Sequence, residues 1–149
     1  LAGADGWKDT PRNIRETGEF VVHLVSHAMV EAMNLTSVDA PTEISELDLA
    51  GLDTSAARKV GAPLITGAPV AFECRCLSFV ETGAYQGVAI GQVLAAHVAD
   101  AVLTDHGRGH VDTPALDLVS RLHGRGFYGR TDRVFELLRP SWPLEPLDL

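Results

Sequence analysis

Trp7-Lys8-Asp9-Thr10-Pro11-Arg12-Asn13-Ile14-Arg15-Glu16-Thr17-Gly18-Glu19-Phe20-Val21-Val22-His23-Leu24-Val25-Ser26 carries a short helix and a strand parted by one glycine. Thr10 followed by Pro11 predicts a helix that opens just after Lys8. A hydroxyl accepts from a free amide there, and proline has no amide to leave unpaired. Gly18 predicts a left-handed stop, and Phe20 to Val25 is an apolar, β-rich run that predicts a buried strand. A lysine, a threonine hydroxyl and unpaired amides at one helix N-terminus form a small positive pocket of the kind that accepts phosphate. The same residues also read as a plain cap beside a solvated lysine.

The chain has 149 residues and 46% hydrophobic content, enough for one well-cored domain and too little for two of ordinary size. A formal charge of −8 excludes a nucleic-acid footprint, which needs clustered cations. Small molecules or proteins are the expected partners. Cys74 and Cys76, at i and i+2 on a strand, face one side without the geometry for a mutual disulfide and read as buried thiols. Leu1 to Gly6 reads as a loop cut short rather than a targeting segment, and no apolar run is long enough to cross a bilayer. The expectation is a reducing cytoplasm and no membrane.

Further along, Ser26 predicts a cap for a helix through about Asn34, with Ala28, Met29, Ala32 and Met33 on its apolar face. Residues 35 to 67 are broken by Pro41, Gly51, Gly61 and Pro63 and predict an excursion with one helical turn near Ile44 to Leu47. Such an excursion covers a site or docks on a partner. Val70 to Val80 predicts a long one-sided strand, with Ala71, Glu73 and Arg75 on one alternation and Val70, Phe72, Cys74 and Cys76 on the other. After a turn at residues 81 to 84, Gly87 to Val98 returns as its antiparallel partner. Asp105 to Asp112 reads as a polar loop, and Thr113-Pro114 as a capped start for a helix from Leu116 to Leu122. Phe127 to Arg130 reads as a loop and Arg133 to Leu138 as a last strand. The fold class is mainly β with helical additions, barrel-like in its strands.

Other chemistries find little support. His106 and His110 with Asp105 and Asp112 are separated by Gly107 and Gly109, which break any common helical face, and no metal is expected. His23 and His27 would not converge. None of the serines sits in a glycine-flanked nucleophile elbow, and the two glycine-rich pieces do not link a strand to a long helix as a dinucleotide fingerprint must. His97 reads as a structural histidine.

In order, Lys8-Asp9-Thr10, Arg12-Asn13-Ile14 and Phe20-Val21-Val22 are followed by Glu31 to Ser37 and by Glu46 to Leu52. Then come Ala68 to Arg75, Ile90-Gly91-Gln92-Val93 with His97, Tyr128-Gly129-Arg130, Phe135-Glu136-Leu137 and Arg139-Pro140. This succession, spanning roughly Lys8 to Pro140, resembles the flavin reductase-like family of FMN-binding split β-barrels.

The resemblance implies one split-barrel domain over residues 1–149 in which flavin sits at a homodimer interface. It also implies strands ahead of Lys8, where only seven residues stand, so the N-terminal part of the domain is expected to be missing. The implied activity is hydride transfer from NAD(P)H to FMN, with FAD as the alternative flavin. Reduced flavin would then serve oxygen, an oxygenase partner or another acceptor. The implied cofactor-binding residues are Lys8 and Thr10 at the phosphate, Asp9 between them, and Asn34 and Tyr128 at the ring. No catalytic acid or base is assigned, because hydride transfer between nicotinamide and flavin requires none. The alternatives are an electron carrier without reductase turnover and a flavin-free dimeric interaction module.

Overall fold

The computed structural model describes residues 6–131, 133–137 and 139. Helix α1 (Asp9–Thr17) ends on Gly18, whose φ of 70° is the left-handed stop and whose N–H returns to the Ile14 carbonyl at 2.9 Å. The helix opens just after Lys8, as expected, but Thr10 is not its cap. Lys8 holds the extended N-cap position, no side chain caps it, and Thr10 lies inside the first turn. Pro11 is accommodated as the third helical residue because first-turn amides have no intrahelical acceptor to lose.

Strand β1 (Glu19–Leu24) follows directly and is half-buried. Ser26 opens a 3-10 turn, His27–Met29, without a side-chain cap, and α2 (Val30–Leu35) continues it. The expected helix is therefore split into a 3-10 turn and a short α-helix, and Asn34 lies within the latter. The turn expected at Ile44 to Leu47 is α3 (Glu46–Leu49), displaced because Ser45 is the cap, its hydroxyl accepting from the Asp48 N–H at 3.3 Å. Short strands β2 (Thr54–Ser55) and β3 (Leu64–Ile65) pair antiparallel around residues 56–63. The two long strands β4 (Val70–Gly83) and β5 (Gln86–Val98) form the expected hairpin, turning at Ala84 and Tyr85, with Tyr85 left-handed at φ 61°.

The sheet order is β1-β4-β5, antiparallel throughout, with Phe20 opposite Cys74 and Val21 opposite Glu73. Gly91 makes the packing of this sheet possible: a Cβ there would lie 2.5 Å from Cζ of Phe20. The alternation expected on β4 fails at one position, since Glu73 is fully buried. A polar face stays exposed only where nothing covers it, and here the excursion lies over that face.

After β5, the polar loop is a small hairpin, β6 (Leu103–Asp105) with β7 (His110–Val111). The expected helix at Leu116 to Leu122 is instead a 3-10 turn, Pro114–Leu116, followed by β8 (Val119–Arg121). Asp117 adopts φ 46°, which ends the helical path at once. The expected loop at Phe127 to Arg130 contains β9 (Tyr128–Arg130), paired with β8. Residues 133–137 form no strand, and Leu138 lies outside the described residues. The core gathers Val70, Val102 and Leu116, with Leu24, Phe72 and Val98 packed on it.

Candidate functional site

Lys8 is set in place by its predecessor. The Trp7 ring is buried, edge-on to Phe79 at 5.8 Å and to Tyr85 at 6.2 Å, with the Arg15 guanidinium 5.0 Å from its centroid. The tip of the long hairpin therefore grips the residue ahead of α1. Aromatic edges and a cation over a ring face make such a grip directional as well as apolar.

Beside that helix start lies a cavity of about 540 Å³. Lys8, Asp9, Thr10, Asn13 and Ile14 line it from α1, Glu19, Val21 and His23 from β1, residues 36–40 and α3 from beyond, and Ala62, Pro63 and Ile65 from the β2–β3 unit. Lys8, Asp9 and Thr10 thus line the same cavity. Asn34 and Tyr128 are not among the lining residues. The Tyr128 hydroxyl instead accepts from Arg121 at 3.1 Å, and the same guanidinium lies 5.1 Å from its ring centroid.

Charge in the cavity is mixed. Lys8 Nζ donates to Asp39 Oδ1 at 3.0 Å, and this bond and charge hold the Asp39 carboxyl below its ordinary value. Asp9 is engaged by Arg12 one turn on. Glu46 and Glu19 also line the cavity, Glu19 accepting from the Gly61 N–H at 2.7 Å. The His23 Nε2 accepts from the Ile65 N–H at 2.9 Å, and burial lowers the pKa of its ring. Behind His23 and Ile65 is a second, apolar cavity of about 80 Å³ between α2 and α3.

Glu73 is the residue that sequence reasoning passed over. Burial alone would raise its pKa, yet the amides of Arg58 (3.0 Å) and Lys59 (2.5 Å) and the His97 ring (2.6 Å) outweigh that and hold it down to about 2. His97 is accordingly a structural partner of a buried carboxylate, with Nε2 as the donor. The only signal in the sequence was a lone glutamate flanked by Phe72 and Cys74. Cys74 is buried and Cys76 partly so, both as free thiols. Among the described residues no three metal-ligating groups cluster, and no helix is long and apolar enough to cross a membrane.

The cavity joins the start of α1 to apolar wall residues, with Lys8 set among Asp9, Glu19, Asp39 and Glu46. The volume is that of a cofactor site. Lys8 and the first-turn amides of α1 offer donors at one end, and Ile14, Val21, Val38, Leu47 and Ile65 offer apolar walls.

An uncharacterized protein of Deinococcus radiodurans is 41% identical over 140 residues, a match covering 93% of this chain and 61% of that protein. The chain thus spans less than two thirds of that relative's length. The crystal structure of nitrilotriacetate monooxygenase component B from Bacillus cereus is 32% identical, with a TM-score of 0.80 over 90% of this chain and 67% of that one. A Shewanella frigidimarina structure with a split barrel domain, 23% identical, shares the fold at a TM-score of 0.75 over 87% of this chain and 65% of that one. The fold is accordingly that of the split-barrel flavin reductases. Residues 2–115 match the flavin reductase like domain, and the chain belongs to that family.

Proposed function

We propose that this chain binds FMN in the 540 Å³ cavity and works as a flavin-dependent oxidoreductase supplied by NAD(P)H. The observation that carries the reading is the junction of that cavity with the start of α1, where Lys8, Asp9 and Thr10 meet a space with both apolar and polar walls. The residues fit the cofactor: a phosphate finds a cation and helix N-terminal donors, and a ring system finds Ile14, Val38, Leu47 and Ile65. When bound, the flavin supplies the redox chemistry, accepting hydride and passing electrons on.

The chain's own part is binding and exclusion. Lys8 exchanges its Asp39 partner for phosphate, Thr10 adds a hydroxyl, and residues 36–40 with Ala62 and Pro63 keep water from the ring. Asn34 and Tyr128 do not line the cavity and take no part in this reading. The electron acceptor is oxygen or a partner oxygenase, in keeping with a neighbour that is a monooxygenase component. Free Cys74 and Cys76 support a cytoplasmic setting. Leu77, Val80, Val88, Ile90 and Val93, exposed along β4 and β5, support a homodimer that covers them.

Titration with FMN, followed by absorbance and flavin fluorescence, tests the reading. Saturable binding at micromolar or tighter concentration, then NAD(P)H oxidation that depends on flavin, is the expected result. Binding without turnover makes the chain a carrier, and no binding leaves the dimeric module.

A further inference from the structure

The wall of the cavity opposite α1 is held in an unusual way. Between β2 and β3 the chain forms a strap whose amides donate to side chains of the sheet rather than to a backbone ladder. Arg58 and Lys59 donate to Glu73, Gly61 to Glu19, and Ile65 to His23. The three acceptors share one sheet face, since Glu19, Val21 and His23 alternate along β1 and Val21 lies opposite Glu73. Within the strap, β2 and β3 pair at only two positions. Behind Ile65 is the small apolar cavity, so packing does not back the wall there. Placement of Ala62, Pro63 and Ile65 therefore depends on four polar captures.

We propose that Glu19, His23 and Glu73 are positioning residues for the flavin site, holding the strap as the wall against which the ring packs, and that His23 makes this placement sensitive to pH. The inference rests on the flavin reading of the cavity. Only neutral His23, with its hydrogen on Nδ1, accepts at Nε2. A proton there sets a donor against the Ile65 N–H and releases the strap. Burial lowers the His23 pKa from 6.5, so the folded chain resists that protonation.

The charged groups around His23 come from every side of the cavity: Lys8 and Asp9 on α1, Glu19 on β1, Asp39 after α2 and Glu46 on α3. On β4 the residue opposite is Ala71, with the Glu73–His97 pair next along that face. Carboxylates outnumber Lys8 here and favour the protonated ring, whereas desolvation opposes it.

Amide hydrogen exchange and flavin titration, on the whole chain with FMN and riboflavin as probes, test the proposal. His23→Leu is expected to speed exchange at Ile65 while leaving β4 and β5 protected, and to weaken both flavins equally, by about tenfold. His23→Gln keeps an oxygen acceptor at similar reach and restores both. Riboflavin, which has no phosphate to titrate, is expected to bind wild type less tightly as pH falls from about 7.5 to about 5.5, and His23→Gln to lack that dependence. Should His23→Leu not fold, Glu19→Ala, which leaves the Gly61 N–H no side-chain acceptor, read at Gly61 replaces it with the same expected direction. A lower melting temperature with unchanged strap exchange and unchanged riboflavin affinity overturns the proposal, as does an unaltered pH response in His23→Gln. If wild type binds neither flavin while strap exchange still follows pH, the flavin reading fails and the capture of the strap stands.

Discussion

Lys8 and Asp39 form an ion pair at 3.0 Å that closes the start of α1 onto the segment after α2. Both side chains are exposed, so solvent screening leaves the pair itself little stability to add. Its importance is competitive, because an anion reaching Lys8 has to displace Asp39.

Asp39→Asn is therefore expected to tighten FMN several-fold and to leave riboflavin unchanged. Lys8→Ala is expected to weaken FMN by about tenfold, the worth of a charge-assisted hydrogen bond, with riboflavin again unchanged. Calorimetric titration of both variants with both ligands checks this. Equal losses for the two flavins would remove Lys8 from the phosphate.

Glu73 makes acid sensitivity predictable. Its pKa is about 2 in the folded chain against an ordinary 4.5, so the folded state binds fewer protons than the unfolded one between those values. The stability it contributes is complete above about pH 4.5 and is lost as pH falls through about 2. Urea midpoints measured from about pH 5 to about pH 2 should show wild type falling towards Glu73→Gln, with the gap closing at the acid end. Parallel curves would mean that the carboxylate is not held by the strap.

Gly91 and Phe20 offer a packing test. Gly91→Ala puts a methyl 2.5 Å from the Phe20 ring and 3.3 Å from Cβ of Cys74, and overpacking of that kind costs about 2 kcal/mol. Phe20→Leu in the same chain makes room and should recover part of the loss. Chemical denaturation of the two single variants and the double variant measures the coupling. Strict additivity would count against the contact.

Much of this molecule was legible because the signals were local. Gly18, the apolar run after it and the long hairpin all obey nearest-neighbour rules, and the structure follows them. Thr113-Pro114 carried the same signal as Thr10-Pro11 and yet opens only a 3-10 turn. What decides there is Asp117 in the left-handed region, bridged to Arg130 by two hydrogen bonds at 2.8 and 2.9 Å from thirteen residues away. Glu73 and His23 were illegible for a similar reason. Alternation says which residues share a face of a strand, but only the arrival of the strap decides which face is wet. At the cavity, Lys8, Asp9 and Thr10 were found together because they are consecutive, whereas the opposite wall comes from fifty residues further along.

The strap is hydrogen-bonded to the sheet's side chains through its amides, at positions 58, 59, 61 and 65, with Val60 buried between them. Proline can stand at 63, as it does, because the sheet asks for no hydrogen there, and it is barred from the four captured positions. The side chains of Arg58 and Lys59 take no part in the capture and are exposed. Sequence can therefore drift at the exposed positions of this segment without disturbing its attachment, which leaves the rim of the cavity open to retuning for different ligands on an unchanged frame.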